Sequence, residues 1–189
     1  QLGLWLAWLH RMAAEQLEPG AVPSAFQQLH QALTGEGPPS AAQAVARLPG
    51  PALTRLREEL ADIEPARLFV HGDVQPAAFL LNPDRQIVTV VDWALLHQGD
   101  PLEDVIDAFC HWCIGVDGVV NADLGRVLIE SYRSLRPFEG DPWPEAVVLW
   151  CGQHIVDAAA GRRLLPRKFA SYLEDPASLA GALQMCAAR

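Results

Sequence analysis

Residues 68–107 read LFVHGDVQPAAFLLNPDRQIVTVVDWALLHQGDPLEDVID, and this stretch decides the fold. Arg67-Leu68-Phe69-Val70 is short and apolar between Pro65 and Gly72, which predicts a strand. Phe79-Leu80-Leu81 and Ile87-Val88-Thr89-Val90-Val91 are strand-like too, and Asn82-Pro83-Asp84-Arg85 between them has turn chemistry. These two are expected to form a β-hairpin. Asp73 then lies in a loop after a strand, and Asp92 ends the second hairpin strand. A hairpin folds its far end back beside its start, so two carboxylates 19 positions apart are expected to converge. Such a pair can hold magnesium and supply a proton-accepting base. Pro101 suits the first position of a helix, so a helix is expected from there.

On the N-terminal side, Leu2, Leu6, Leu9, Met12 and Ala13 recur at helical spacing and predict a helix over 2–17, stopped by Pro19-Gly20. A second helix is expected from Pro23-Ser24 to Leu33, before the loop Gly35-Glu36-Gly37-Pro38-Pro39. Ser40 is the expected N-cap of a short helix ending at Pro49-Gly50. Residues 51–63 place Leu53, Leu56, Leu60 and Ile63 on one helical face. Beyond Pro101 the helical period persists to the C-terminus, with breaks near 115–118, 136–144, 161–166 and 175–176. The expected architecture is α+β and mostly helical: residues 1–189 as one domain, with one small β-hairpin carrying the polar residues of interest.

The chain has 189 residues, 50% hydrophobic and 20% charged, the composition of a globular domain. It contains no apolar run long enough to span a membrane. Its apolar opening, Gln1 to His10, lacks a basic leader and a cleavage site, which leaves a cytoplasmic location as the default. Gln1 falls at a helical pattern without an initiator Met, so the natural chain is expected to extend upstream. A net charge of -9 argues against a nucleic-acid partner and suits a cationic substrate, although an acidic solvated surface is the commoner reason for it. Cys110-His111-Trp112-Cys113 has no second CxxC to complete a metal site and is expected to hold buried thiols. His97, His111 and His154 have no spacing that suggests zinc, and Trp112, Trp143 and Trp150 read as packing residues. Asp157, Glu139 and Asp141 read as a solvated face.

His71-Gly72-Asp73, Val90-Val91-Asp92-Trp93, Gly99-Asp100-Pro101 and Asp104, in this order and at these separations, resemble the signature of the aminoglycoside phosphotransferases and the wider choline kinase-like group. Leu6-Ala7-Trp8-Leu9-His10 and residues 51–63 resemble the flanking helices of that family. The resemblance implies the C-terminal lobe of a protein-kinase-like fold, without the nucleotide-binding N-terminal lobe. It implies an ATP- and Mg2+-dependent transfer of phosphate to a hydroxyl of a small molecule, completed by the missing lobe. Asp73 would be the catalytic base and Asp92 the magnesium ligand. His71 would brace the loop and Gln75 reach toward the metal, both on the cofactor side, and Asp100 and Asp104 would cap and anchor the next helix. Two departures stand out. The family's loop Asn falls on Ala78, which has no side-chain oxygen, and neither a glycine-rich phosphate loop nor a Val-Ala-x-Lys strand occurs. The alternative is a degenerate, pseudokinase-type binding or regulatory module that keeps the lobe without the transfer.

Overall fold

The structure, a computed structural model, describes residues 1–16, 25–36, 38–46, 50, 53–54, 57–58, 68–162 and 169–188. Helix α1 (Leu2–Gln16) forms on the apolar repeat that predicted it, with Leu6 and Ala7 in the core. Helix α2 (Ala25–Thr34) agrees with its expected span where that span is described. Helix α3 (Pro39–Val45) begins one residue before the expected Ser40 cap. Proline serves there because a first-turn N–H has no partner to lose. Of the helix predicted over 51–63, residues 53, 54, 57 and 58 are helical. The rest of it, and the stop at Pro19-Gly20, lie outside the described residues.

Four short strands follow: β1 (Leu68–Val70), β2 (Phe79–Leu81), β3 (Ile87–Val90) and β4 (His97–Gly99). β2 and β3 pair antiparallel, as the sequence predicts, with Phe79 opposite Val90. Asn82 builds the turn: its side-chain oxygen accepts from the Gln86 N–H at 2.8 Å, and its carbonyl accepts from the Arg85 N–H at 2.9 Å. A second sheet corrects the expectation of a single hairpin, because β1 pairs antiparallel with β4. His97-Gln98-Gly99 carries no strand signal of its own. It becomes a strand because buried β1 needs partners for its N–H and C=O groups.

Helix α4 (Leu102–Ala108) starts at a capping box. The Asp100 side chain accepts from the Leu102 N–H at 2.8 Å, and Glu103 reaches back to the Asp100 N–H at 2.9 Å. It runs into a π-helical turn, Phe109–Cys113. Then come α5 (Ala122–Leu135), α6 (Trp143–Ala159), α7 (Ala170–Glu174) and α8 (Pro176–Ala187), broken where the sequence signals breaks. α1 packs on α5 and α6 on α3 and α8, around a core that includes Phe109, Trp143, Trp150, Phe169, Leu179 and Leu183. At the α1–α5 crossing a Cβ on Gly3 would collide with the Leu128 carbonyl, so this glycine lets the two backbones touch.

All four cysteines are buried and no disulfide joins them. Burial pushes the Cys113 thiol up to about 12, which removes it as a nucleophile at neutral pH. Asp157 is not on a solvated face: it is buried and accepts from Arg162 Nη2 at 2.6 Å and from Gln153 Nε2 at 3.1 Å. Glu139 and Asp141 are exposed, as expected. Among the described residues no helix is long and apolar enough to cross a membrane.

Candidate active site

The loop between β1 and β2 is pinned at four consecutive amides. The His71 and Gly72 N–H groups donate to the two carboxylate oxygens of Asp104, at 2.8 and 2.9 Å. The Asp73 N–H donates to His71 Nδ1 at 3.3 Å, and the Val74 N–H to Asp107 Oδ2 at 2.6 Å. Both carboxylates stand on α4, three residues apart, on one helix face. Gly72 is required at the bend: its φ is +80°, and a Cβ there would run into the Leu95 carbonyl and come within 3.1 Å of His97 Nδ1. The loop thus holds Asp73 half-buried, with Gln75 Nε2 donating to Asp73 Oδ2 at 2.7 Å.

His71 links this loop to the hairpin. Its ring is fully buried, Nε2 donates to the Val91 carbonyl at 3.0 Å, and the ring lies 4.5 Å from that of Trp93. Val91 and Trp93 flank Asp92, so the histidine grips the chain on both sides of that residue. Because Nδ1 accepts from the Asp73 amide while Nε2 donates, His71 is the neutral Nε2–H tautomer. Asp92 itself is exposed and left-handed (φ 63°, ψ 59°), a conformation Asp tolerates better than most residues. Ala78, where the family's Asn was expected, is buried in a 3-10 turn (Pro76–Ala78), and its carbonyl accepts from the Val91 N–H at 2.9 Å.

Three buried histidines, His10, His97 and His154, stand behind the loop. Asp104, expected to anchor its own helix, anchors the loop instead. Its Oδ2 contacts His10 Nε2 at 3.0 Å, and His10 Nδ1 contacts the Tyr132 hydroxyl at 3.0 Å. Burial alone would raise the Asp104 carboxyl. The His10 bond and charge, with the Gly72 and His71 amides, outweigh it and hold Asp104 below the ordinary carboxylate range.

His97 Nδ1 lies 2.8 Å from the Leu95 carbonyl and Nε2 3.3 Å from Glu103 Oε2. Both partners accept only, so the ring is held doubly protonated. Burial opposes that charge, but Glu103 outweighs it and raises the His97 value from 6.5 to about 8. A folded value above the unfolded one stabilises fully below 6.5 and is lost as pH rises through about 8. Denaturant unfolding is therefore expected to show a loss of about 2 kcal/mol between pH 6 and 9. His97→Gln should flatten that limb; an unchanged limb in the variant would refute the assignment.

The sequence did not single out Asp107, and it gave His10, His111 and His154 no role at this loop. Ligand atoms of Asp73, Asp107 and His111 lie within 4.8 Å of one another, close enough for one small polar group or cation to meet all three. The π-helical turn carries His111, four residues after Asp107, to this place; such turns cluster at functional sites. Asp92 is not a member of that group.

The chain was also compared with known proteins. No curated protein matches it. The model of the phosphotransferase enzyme family matches residues 1–138, a stretch that holds the whole pinned loop, both sheets and the two α4 carboxylates. That stretch is more than half of the chain, and the protein therefore belongs to the phosphotransferase enzyme family.

Proposed function

We propose that this chain is the catalytic-loop lobe of a protein-kinase-like enzyme that transfers the γ-phosphoryl group of ATP to a hydroxyl of a small molecule. The observation that carries the reading is the pinned loop, which presents a half-buried Asp73 next to a histidine gripping both neighbours of Asp92. Asp73 takes the proton of the acceptor hydroxyl as its oxygen attacks the phosphorus. Gln75 fixes one oxygen of that carboxylate. Phosphoryl transfer asks little more of the protein than position and charge stabilisation.

Magnesium would be held by the exposed Asp92 carboxylate, with the side-chain oxygen of Gln75 as a second oxygen donor; Ala78 adds none. Magnesium, when bound, neutralises charge on the phosphates. His71, fully buried, serves the nucleotide by holding the loop and not by touching it. Leu80, Leu81 and Val88 are 49%, 47% and 61% exposed on the hairpin. A nucleotide-holding lobe of the same protein laid over them would cover that surface. The acidic chain suits a cationic acceptor, with no nucleic acid or membrane partner and a cytoplasmic location.

The test is ADP release by the full-length protein with Mg-ATP and a panel of amino sugars, amino alcohols, sugars and hydroxy amino acids. Magnesium-dependent ADP formation that rises with one acceptor is expected. No acceptor-dependent release across the panel would overturn the reading in favour of a binding module.

A further inference from the structure

Asp107 has no place in the chemistry assigned above, yet it is as fully engaged as Asp104, with three partners of its own. Its Oδ2 accepts from the Val74 N–H at 2.6 Å. Its Oδ1 accepts from Trp150 Nε1 at 3.3 Å and contacts His154 Nε2 at 3.1 Å. Asp107, Trp150 and His154 are all buried, and the last two stand one turn apart on α6 with ring centroids 4.0 Å apart. The other ring nitrogen of His154 lies 3.0 Å from the Trp150 carbonyl.

A carbonyl and a carboxylate both only accept. For both His154 contacts to be hydrogen bonds, the pair must hold one proton more than a neutral imidazole beside an ionised carboxylate. The Asp104–His10 pair differs, because the Tyr132 hydroxyl at His10 Nδ1 can either donate or accept, so the geometry there does not by itself require the extra proton. The Val74 peptide is held at its other end too, by Trp112 Nε1 on the Val74 carbonyl at 2.9 Å. Helix α6 lies beyond residue 138, where the family match stops, so these α6 contacts are not part of what the match describes.

We propose that Asp107, His154 and Trp150 form a positioning unit that ties α6 to the catalytic loop at Val74 and so sets where Asp73 stands. The inference rests on the reading of Asp73 as the base. Val74 follows Asp73 directly, so release of its amide frees the base on one side while Asp104 still holds the other. Catalysis feels displacements of about 1 Å by roughly a hundredfold, which makes this amide a point where α6 acts on the reaction.

The experiment uses the full-length protein with His154→Phe, which keeps a ring and removes both donors, and His154→Gln, whose amide can still donate. Amide exchange over 71–75 should quicken about tenfold in the Phe variant, the loss of one charge-assisted bond. Its kcat should fall roughly 10- to 100-fold with KM for ATP within about twofold, and the Gln variant should recover most of both. In the wild type, 15N NMR should find both His154 ring nitrogens protonated. Wild-type exchange and wild-type kcat in folded His154→Phe would overturn the proposal, as would slower turnover that the Gln variant does not rescue. Should the Phe variant fail to fold, Trp150→Phe removes a single donor and should shift exchange and kcat the same way by less; no shift there overturns it. A wild type without turnover would sink the reading of Asp73, while exchange over 71–75 would still decide the clamp.

Discussion

Asp73→Asn is expected to lower kcat by roughly 10^2- to 10^4-fold, the usual worth of a positioned general base. The fold should survive, because the side chain is half-buried at a loop and none of the four loop amides donates to its carboxylate. The Asn oxygen can still accept from Gln75 Nε2, so the loop keeps that contact while losing the basic oxygen. KM for ATP should change little, since the nucleotide is assigned to Asp92 and to a lobe over the hairpin. The check is a steady-state comparison beside thermal unfolding. Undiminished turnover in a folded variant would remove Asp73 from the chemistry.

Asp104→Ala is expected to cost about 3–5 kcal/mol of stability, the range for breaking a buried pair by deleting one partner. The carboxylate lies fully buried, and its removal leaves the His71 and Gly72 amides and His10 Nε2 without their acceptor. His10 of α1, held by Tyr132 of α5, stands directly behind the carboxylate. Asp104→Asn keeps one acceptor oxygen and should fall between the wild type and Ala. Chemical denaturation of the three proteins gives the order directly; a loss under about 1 kcal/mol for Ala would contradict the clamp. The linked pH effect has a definite sign. A depressed carboxylate stabilises above its unfolded value, so the wild type loses this contribution as the solution is acidified below the ordinary Asp range, and the variants do not.

The sequence shows the parts of the site that are local. The β2–β3 hairpin is legible from its turn residues, and the start of α4 from Asp100-Pro101, because both depend on neighbours within four residues. The loop carrying Asp73 follows from the same patterns, whereas Asp92, expected to end the second strand, lies two residues past the end of β3. Illegible is what holds the loop. His10 meets Asp104 across 94 positions and Tyr132 across 122, and His154 meets Asp107 across 47, so no local spacing announces them. Strand β4 is missed for a related reason: its pairing comes from the needs of β1 and not from its own residues. Asp107 alone left a trace, three residues after Asp104 on a helix whose start could be read, which puts the two carboxylates on one face. Asp157 misled because an isolated acidic residue near a helix end resembles a solvated one until Arg162 is seen beside it.

If the Asp73 loop moves a phosphoryl group onto a hydroxyl, the product is a phosphate ester of the acceptor. The direct measurement is 31P NMR of the full-length protein with Mg-ATP and the acceptor that most raises ADP release. A new phosphate-ester resonance with the wild type, absent with Asp73→Asn, is the predicted result. Inorganic phosphate as the sole new product, or an ester formed equally well by the variant, would contradict it.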